Sequence, residues 1–169
     1  MSTWRYARSQ IAIHWLAALA IVFLLVTGTF VLAELPNTTP KVGNLRIHMI
    51  VGLLAGALAV SRLVLRRRLP APPPAAFERM ARAGHVALNI VVLLLALSGM
   101  GLALKSGALD AVFGGGALPE DFEAYALRPV HGLLSRLAMA LIALHVVAAL
   151  YHQFVLRDRL LARVGLGKA

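Results

Sequence analysis

Residues 128–154 read RPVHGLLSRLAMALIALHVVAALYHQF, a long apolar run that carries three of the six histidines in the chain. These are His131, His145 and His152. At about 100° per residue, steps of about 14 and 7 residues return to within roughly 40° and 20° of their start, so the rings are predicted to share one helical stripe. His131 and His145 would be about 21 Å apart along the axis, comparable to much of the ~30 Å hydrocarbon core of a bilayer. Two stacked metal cofactors would need histidines placed in this way.

Composition indicates an integral membrane protein. Of the 169 residues, 60% are hydrophobic and only 14% are charged, whereas soluble domains average about 25% charged. A net charge of +10 would favour nucleic-acid binding in a soluble protein, but here the basic residues flank apolar runs. The absence of cysteine excludes disulfides, Cys-ligated iron–sulfur clusters and covalently attached c-type haem. Any haem must therefore be bound non-covalently.

The apolar runs predict four membrane spans in one domain, 1–169, at about 9–33, 45–65, 84–104 and 129–156. The first run is too long for a typical signal peptide and three more spans follow it. Pro36 and Pro40 are expected to interrupt helical structure between spans one and two, and the Pro-rich stretch 70–74 separates spans two and three. These features predict an all-α, four-helix membrane bundle.

The distribution of Lys and Arg predicts the orientation of this bundle. Only four lie in the first and third connections: Lys41, Arg46, Lys105 and Arg128. The positive-inside rule therefore predicts that both termini are cytoplasmic. The head, the second connection and the tail hold twelve: Arg5, Arg8, Arg62, Arg66, Arg67, Arg68, Arg79, Arg82, Arg157, Arg159, Arg163 and Lys168.

With this topology, four intramembrane histidines form two pairs by depth. His48 and His131 are level near the outer ends of spans two and four, and His14 and His145 are level near the inner side. A haem with two axial imidazoles needs them on different helices, and such a centre carries single electrons because it has no open position for O₂. Helix packing or a proton relay is the alternative explanation for these histidines.

Short motifs surround the histidines along nearly the whole chain. They are Trp4-Arg5-Tyr6, Ile13-His14-Trp15-Leu16, Thr27-Gly28, His48 with Gly52 and Arg62, Gly84-His85 with Asn89, Ser98-Gly99, and His131, His145 and Ala148–His152 with Phe154–Asp158. These motifs resemble those of bacterial cytochrome b561 proteins, and the last of them is the most specific. The resemblance implies a four-helix bundle in the bacterial inner membrane with two haem b groups, one bound by His48 and His131 and the other by His14 and His145.

Within the family, the chain is similar to short stand-alone members that resemble superoxide oxidase. This likeness implies an oxidoreductase that takes electrons from superoxide on the periplasmic side and passes them to ubiquinone. The alternative is an electron-transfer subunit that links a periplasmic dehydrogenase, hydrogenase or cytochrome to the quinone pool. By the resemblance, His152 is a candidate for the quinone site, and His85 could contact the quinone or a haem propionate. Exposure of either ring to lipid headgroups is the alternative for both.

Two arginines and one glycine motif complete the candidate set. Arg136 lies inside span four and should need an anionic partner. A haem propionate is the obvious partner, but Arg136 is about 140° around the helix from His131. The acidic residues of the outer connections are therefore the alternative. Arg62 is a second possible propionate partner, with snorkelling as the alternative. The GxxxG motif at 52–56 predicts close packing. The outer connections carry a net charge of −1, so superoxide as substrate rests on the resemblance alone.

Overall fold

The protein is an assembly of helices. The computed structural model describes residues 4–70, 73 and 76–167, and no strand occurs among them, which confirms the all-α prediction. Lys168 and three residues of the Pro-rich stretch, 71, 72 and 74, lie outside the described residues. In chain order the helices are α1 Arg8–Thr27, α2 Thr39–Arg68, α3 Glu78–Lys105, α4 Ala108–Phe113, α5 Leu127–Tyr151 and α6 Leu160–Arg163, with π-helical turns Gly28–Leu32 after α1 and His152–Leu156 after α5.

Four of these helices are long and apolar enough to cross a membrane. With their π turns, they comprise Arg8–Leu32, Thr39–Arg68, Glu78–Lys105 and Leu127–Leu156, which are 25 to 30 residues long. At about 1.5 Å per residue each exceeds the ~30 Å hydrocarbon core of a bilayer. The second and third extend beyond the apolar spans predicted from the sequence because their polar ends continue the helical backbone into the interfaces.

Local sequence explains where α2 begins and ends. Thr38 is extended, and Pro40 lies in the first turn of α2. Proline is tolerated there because the first N–H groups of a helix have no intrahelical partner. The prediction that Pro40 interrupts helical structure is therefore wrong, since this residue lies in the first turn of α2 and helps to start the helix. Three arginines occupy the last turn of α2, where cations favour the helix dipole, and Leu69 is extended ahead of Pro70.

The long helices pack in a row that leaves one side open. α1 packs against α2, α2 against α3, and α3 against α5, while α1 and α5 are not among the closely packed pairs of the described chain. Gly56 of the predicted GxxxG motif does allow close packing, because a β-carbon there would lie 3.0 Å from the Ala96 side chain. Gly52 faces open space instead. The cleft between α1 and α5 is the feature that positions the functional site.

Hydrogen bonds tie the connections together at each end of the bundle. At the end we call the terminal end, Tyr6 N–H donates to the Arg163 carbonyl, and Trp15 Nε1 donates to the Val164 carbonyl at 2.9 Å. Arg163 also reaches the Pro73 carbonyl of the second connection. The first and last described segments of the chain and residue Pro73 of the second connection therefore lie at this same end.

The opposite end, which we call the loop end, is formed by the first and third connections. Asn37 donates to the Pro119 and Glu120 carbonyls, both at 2.9 Å. Arg46 donates to the carbonyl of Val112 at 3.0 Å, and Val112 is fully buried. Arg46 therefore holds α4 against the end of α2. The short helix α4 gives the longest connection a packed core of its own.

Candidate functional site

His48 on α2 and His131 on α5 face each other near the loop end. Their ring centres are 6.4 Å apart and their planes are inclined at 71°. Two axial nitrogens at about 2 Å from a shared metal, together with the two ring radii, require roughly 6–6.5 Å between ring centres. The side chains therefore have the separation of two ligands on opposite sides of one metal ion.

The backbone around this pair leaves room for both rings. A β-carbon on Gly28 would lie 3.2 Å from Cε1 of His48, and one on Gly99 would lie 3.1 Å from Cε1 of His131. Gly28 begins the π turn after α1, and π turns occur frequently at functional sites. Each imidazole is thus backed by a glycine from a neighbouring helix, and a larger residue at either position would displace the ring.

Ser98 on α3 orients the imidazole of His131. Its Oγ lies 3.0 Å from His131 Nδ1 and donates to the Leu95 carbonyl at 3.1 Å. Because the hydroxyl proton is used in that second bond, the oxygen is placed to accept from Nδ1–H, which leaves Nε2 with a free lone pair. Nδ1 of His48 is buried without a hydrogen-bond partner among the described residues. The two ligands of this pair therefore have different surroundings.

His14 on α1 and His145 on α5 form a second pair toward the terminal end. Their ring centres are 6.5 Å apart, with planes inclined at 59°. His85 on α3 is nearer to His145, at 5.3 Å between ring centres. That separation is too short for His85 and His145 to lie on opposite sides of one metal, which needs roughly 6–6.5 Å. His14 is therefore the better partner for His145, and His85 packs against the side of the pair.

An apolar cavity of about 250 Å³ lies between α1 and α5, in the open side of the bundle. It is bounded on α1 and the following π turn by Val22, Val26 and Phe30, and on α5 by Met139 and Ile142. These residues lie, in sequence, between the levels of the two histidine pairs. An apolar slot flanked by axial imidazoles suits the edge of a flat macrocycle.

The side chains present fit haem b better than they fit a free metal ion. Within the part of the chain that the structure describes, no group of three or more His, Cys, Asp or Glu is placed to hold a metal. Each histidine pair could supply two imidazole nitrogens, which is the set of protein ligands that a haem b bound by two histidines would take. With one haem per pair, His48 and His131 would hold the first, and His14 and His145 the second.

His152 forms a separate site at the terminal end. It begins the π turn after α5, is only 6% exposed, and its Nδ1 lies 2.6 Å from Oδ2 of Asp158. The ring of Phe77 packs edge-on against it, with 6.2 Å between ring centres. Headgroup exposure does not describe this buried imidazole. The other quinone candidate, His85, lies beside His145.

The two candidate propionate partners differ in their surroundings. Arg62 on α2 is only partly exposed. Arg136 is exposed, and its Nε donates to the carbonyl of Gly132 at 3.2 Å. Within residues 4–70, 73 and 76–167, the ion pairs include no acidic partner for Arg136. The outer acids are therefore not its partners, since Glu123 pairs with Arg128 at 3.1 Å.

Three features of the site were missed by sequence analysis. Ser98 was noted only as part of a motif, and its contact with His131 joins residues that are 33 positions apart. Asp158 also appeared only within a motif, because six residues place it about 120° around a regular helix from His152. Gly28, whose missing β-carbon leaves room for the ring of His48, also appeared only within a motif. An intramembrane Ser next to Gly was the available signal for the first of these features.

Comparison with known proteins gives a consistent result over the length of the chain. Residues 5–167 match the family model for prokaryotic cytochrome b561. Cytochrome b561 homolog 1 of Escherichia coli is 30% identical over 95% of this chain and 96% of its own length. The probable superoxide oxidase CybB of Yersinia pestis is 29% identical over 95% of both chains, and cytochrome b562 of Cereibacter sphaeroides is 30% identical over 94% of both.

No solved structure matched the chain. The family model nevertheless spans all four long helices and both histidine pairs. Members of this family bind haem b. The chain is a bacterial integral membrane electron-transfer protein that belongs to the prokaryotic cytochrome b561 family.

Proposed function

We propose that the protein binds two haem b groups and oxidises superoxide at the loop end, with ubiquinone as the electron acceptor at the terminal end. The observation that carries this proposal is the presence of two histidine pairs, at 6.4 and 6.5 Å between ring centres, that share helix α5. The haems, when bound, supply one-electron transfer without an open coordination position. The likeness to a probable superoxide oxidase over 95% of the chain supports the choice of donor.

The orientation of the bundle follows from its charges. Twelve Lys and Arg residues lie in the head, the second connection and the tail, and four lie in the first and third connections. Arg136 lies within a span and is counted on neither side. The positive-inside rule places the terminal end in the cytoplasm and the loop end in the periplasm. Superoxide generated outside the inner membrane would then meet the His48–His131 site first.

Helix α5 sets the spacing along the proposed route. His131 and His145 are 14 residues apart, which is about 21 Å along the axis, and His152 lies one heptad further, about 10 Å. Rigid helical backbone therefore fixes the intervals between the loop-end site, the second pair and the quinone candidate. The apolar residues between the pairs keep water and ions from the interior.

Lys105 is the cation best placed to attract superoxide. It is exposed at the end of α3 and borders a cavity of about 330 Å³ together with Tyr125 and Leu127. Leu127 begins α5 one turn before His131. Arg46 and Arg128 are already bound, to the Val112 carbonyl and to Glu123 respectively. A local positive charge at this cavity can steer a small anion despite the net charge of the outer connections.

The His152–Asp158 pair supplies the chemistry that a quinone requires. With Asp158 accepting from Nδ1–H, the imidazole can hold a second proton at Nε2 and donate it to a quinone carbonyl oxygen. Two superoxide ions become two molecules of O₂, and their two electrons with two protons convert ubiquinone to ubiquinol.

A second candidate function is an electron-transfer subunit that docks a periplasmic dehydrogenase, hydrogenase or cytochrome. Four exposed acids in the third connection favour it, because they could pair with a basic partner surface. These acids are Asp110, Glu120, Asp121 and Glu123.

Absorption spectroscopy on the purified holoprotein tests both proposals. Xanthine and xanthine oxidase in air-saturated buffer generate superoxide, which should reduce the haems of the oxidised holoprotein, and added superoxide dismutase should prevent this reduction. Subsequent addition of a short-chain ubiquinone should reoxidise them. Haems that stay oxidised with superoxide would exclude the first function, and a colourless protein would exclude both.

A further inference from the structure

Arg128 and Arg136 converge on the same point of helix α5. Arg128 Nη1 and Arg136 Nη2 lie 3.6 and 3.7 Å from the place that a β-carbon of Gly132 would occupy. The three residues are spaced at intervals of four, so they follow one side of the helix. Because Gly132 has no side chain, both guanidinium groups can lie over its backbone. Both positive charges therefore lie near the same point, and an anion placed there would be attracted to both.

The available protein carboxylate satisfies only part of this charge. Glu123 pairs with Nε of Arg128 at 3.1 Å, and Arg136 uses its Nε to bind the Gly132 carbonyl. In the described residues, the terminal nitrogens of Arg136 meet no carboxylate. One uncompensated positive charge therefore remains over Gly132, with N–H donors directed to the outside of the helix.

Arg136 faces lipid rather than the haem sites, whereas Arg128 lies about 60° around the helix from His131 and borders both. Arg136 lies about 140° around the helix from His131 and about 180° from His145. Its neighbours on that face are large and apolar, and Leu133, Leu144 and Val147 are each more than 60% exposed. An apolar exposed face of this kind on a membrane-spanning helix is in contact with acyl chains. A haem propionate near His131 would lie on the side of α5 that faces away from Arg136.

The depth of the pair corresponds to the phosphate level of one leaflet. Arg136 is nine residues after the start of α5 at Leu127, about 13 Å along the axis. Helical side chains lean toward the N-terminus, and the bond to Gly132 confirms that the guanidinium lies about one turn nearer to the loop end. Both arginines therefore present their donors close to the membrane surface.

We propose that Arg128, Gly132 and Arg136 form a binding site for the phosphate of an anionic phospholipid in the leaflet at the loop end. Guanidinium groups are well suited to phosphate because their planar forks form paired, charge-assisted hydrogen bonds. The open backbone of Gly132 gives the phosphate oxygens space between the two forks. The apolar residues below it accommodate the acyl chains.

Native mass spectrometry of the holoprotein, with phosphatidylglycerol added to the detergent, tests this site. The wild type should retain one phosphatidylglycerol more tightly than phosphatidylcholine. Arg136→Gln should weaken this binding by about tenfold or more, because it removes charge-assisted hydrogen bonds to phosphate. Gly132→Leu should also weaken it, since the side chain fills the space between the guanidinium groups without changing the charge.

Lys105→Gln is the matched control, because it removes one positive charge at the same end of the bundle without touching α5. It should leave the bound phosphatidylglycerol unchanged. Equal losses in the Lys105 and Arg136 variants, or no loss in either, would overturn the proposal. Competition by inorganic phosphate at the same concentration as the lipid would indicate a free-anion site instead. Loss of haem from the Arg136 variant would assign this residue to a propionate and also overturn the proposal.

Discussion

Replacement of Ser98 by alanine should raise the reduction potential of the haem that we propose is held by His48 and His131. Ser98 Oγ lies 3.0 Å from Nδ1 of His131 and is only partly accessible to solvent. By accepting Nδ1–H it makes the imidazole a stronger electron donor, which stabilises ferric more than ferrous iron. The alanine variant removes this acceptor from a buried position, so the ferrous state becomes easier to form.

The size of the shift follows from the strength of one hydrogen bond. A hydrogen bond contributes about 0.5–1.5 kcal/mol net, and only the part that differs between the two oxidation states changes the potential. A difference of about 0.5–1 kcal/mol corresponds to roughly 20–40 mV for one electron, since 59 mV is tenfold in the equilibrium constant. Redox potentiometry on the purified protein, followed by haem absorption, resolves a shift of this size.

Ser135→Ala provides the control for this measurement. Ser135 lies on α5 one turn beyond His131, but its hydroxyl donates to the Gly132 carbonyl at 2.8 Å and not to an imidazole. Its loss should leave both potentials unchanged. An equal shift in the two serine variants, a shift toward lower potential, or a change confined to the haem of His14 and His145 would refute the proposed role of Ser98.

Three further predictions concern the cofactors, the quinone and the fold. His48→Ala and His14→Ala should each lower the haem content from two to one per protein with different spectra for the remaining haem, and retention of both haems in either variant would contradict the pairing. Asp158→Asn should slow ubiquinone reduction in a stopped-flow assay by about 10²-fold or more while superoxide still reduces the haems. Arg46→Ala should lower the unfolding free energy by about 1–3 kcal/mol, measured by thermal unfolding in detergent, because the buried Val112 carbonyl loses its donor.

Much of the architecture could be predicted from hydropathy and helical period alone. A bilayer requires long apolar helices, so the composition predicts the four long helices directly. The pairing of His131 with His48 and of His145 with His14 follows from the depth of each residue in its membrane span. Such predictions succeed because they depend only on the rise per residue. They do not depend on side-chain contacts.

The details that escaped prediction depend on departures from regular helix or on contacts between distant residues. Asp158 reaches His152 only because a π turn and a left-handed residue, Arg157 with φ of 56°, end α5 there. The proximity of His85 to His145 depends on how α3 is rotated against α5. The rotation of a helix about its own axis is set by how its surface packs against the neighbouring helix. This packing cannot be read from the sequence alone.

The hydrogen bonds that tie α1 to the end of the chain have a consequence for biosynthesis. Trp15 binds the carbonyl of Val164, a residue synthesised 149 positions later, and Tyr6 binds that of Arg163. During translation, α1 therefore enters the membrane long before its hydrogen-bond partners at residues 163 and 164 exist. Until residues 163–164 leave the ribosome, α1 can swing away from α5 and the cleft between His14 and His145 stays accessible. We expect the proposed haem to bind between His14 and His145 before these hydrogen bonds form. Docking of the tail against α1 would then be the final step of maturation.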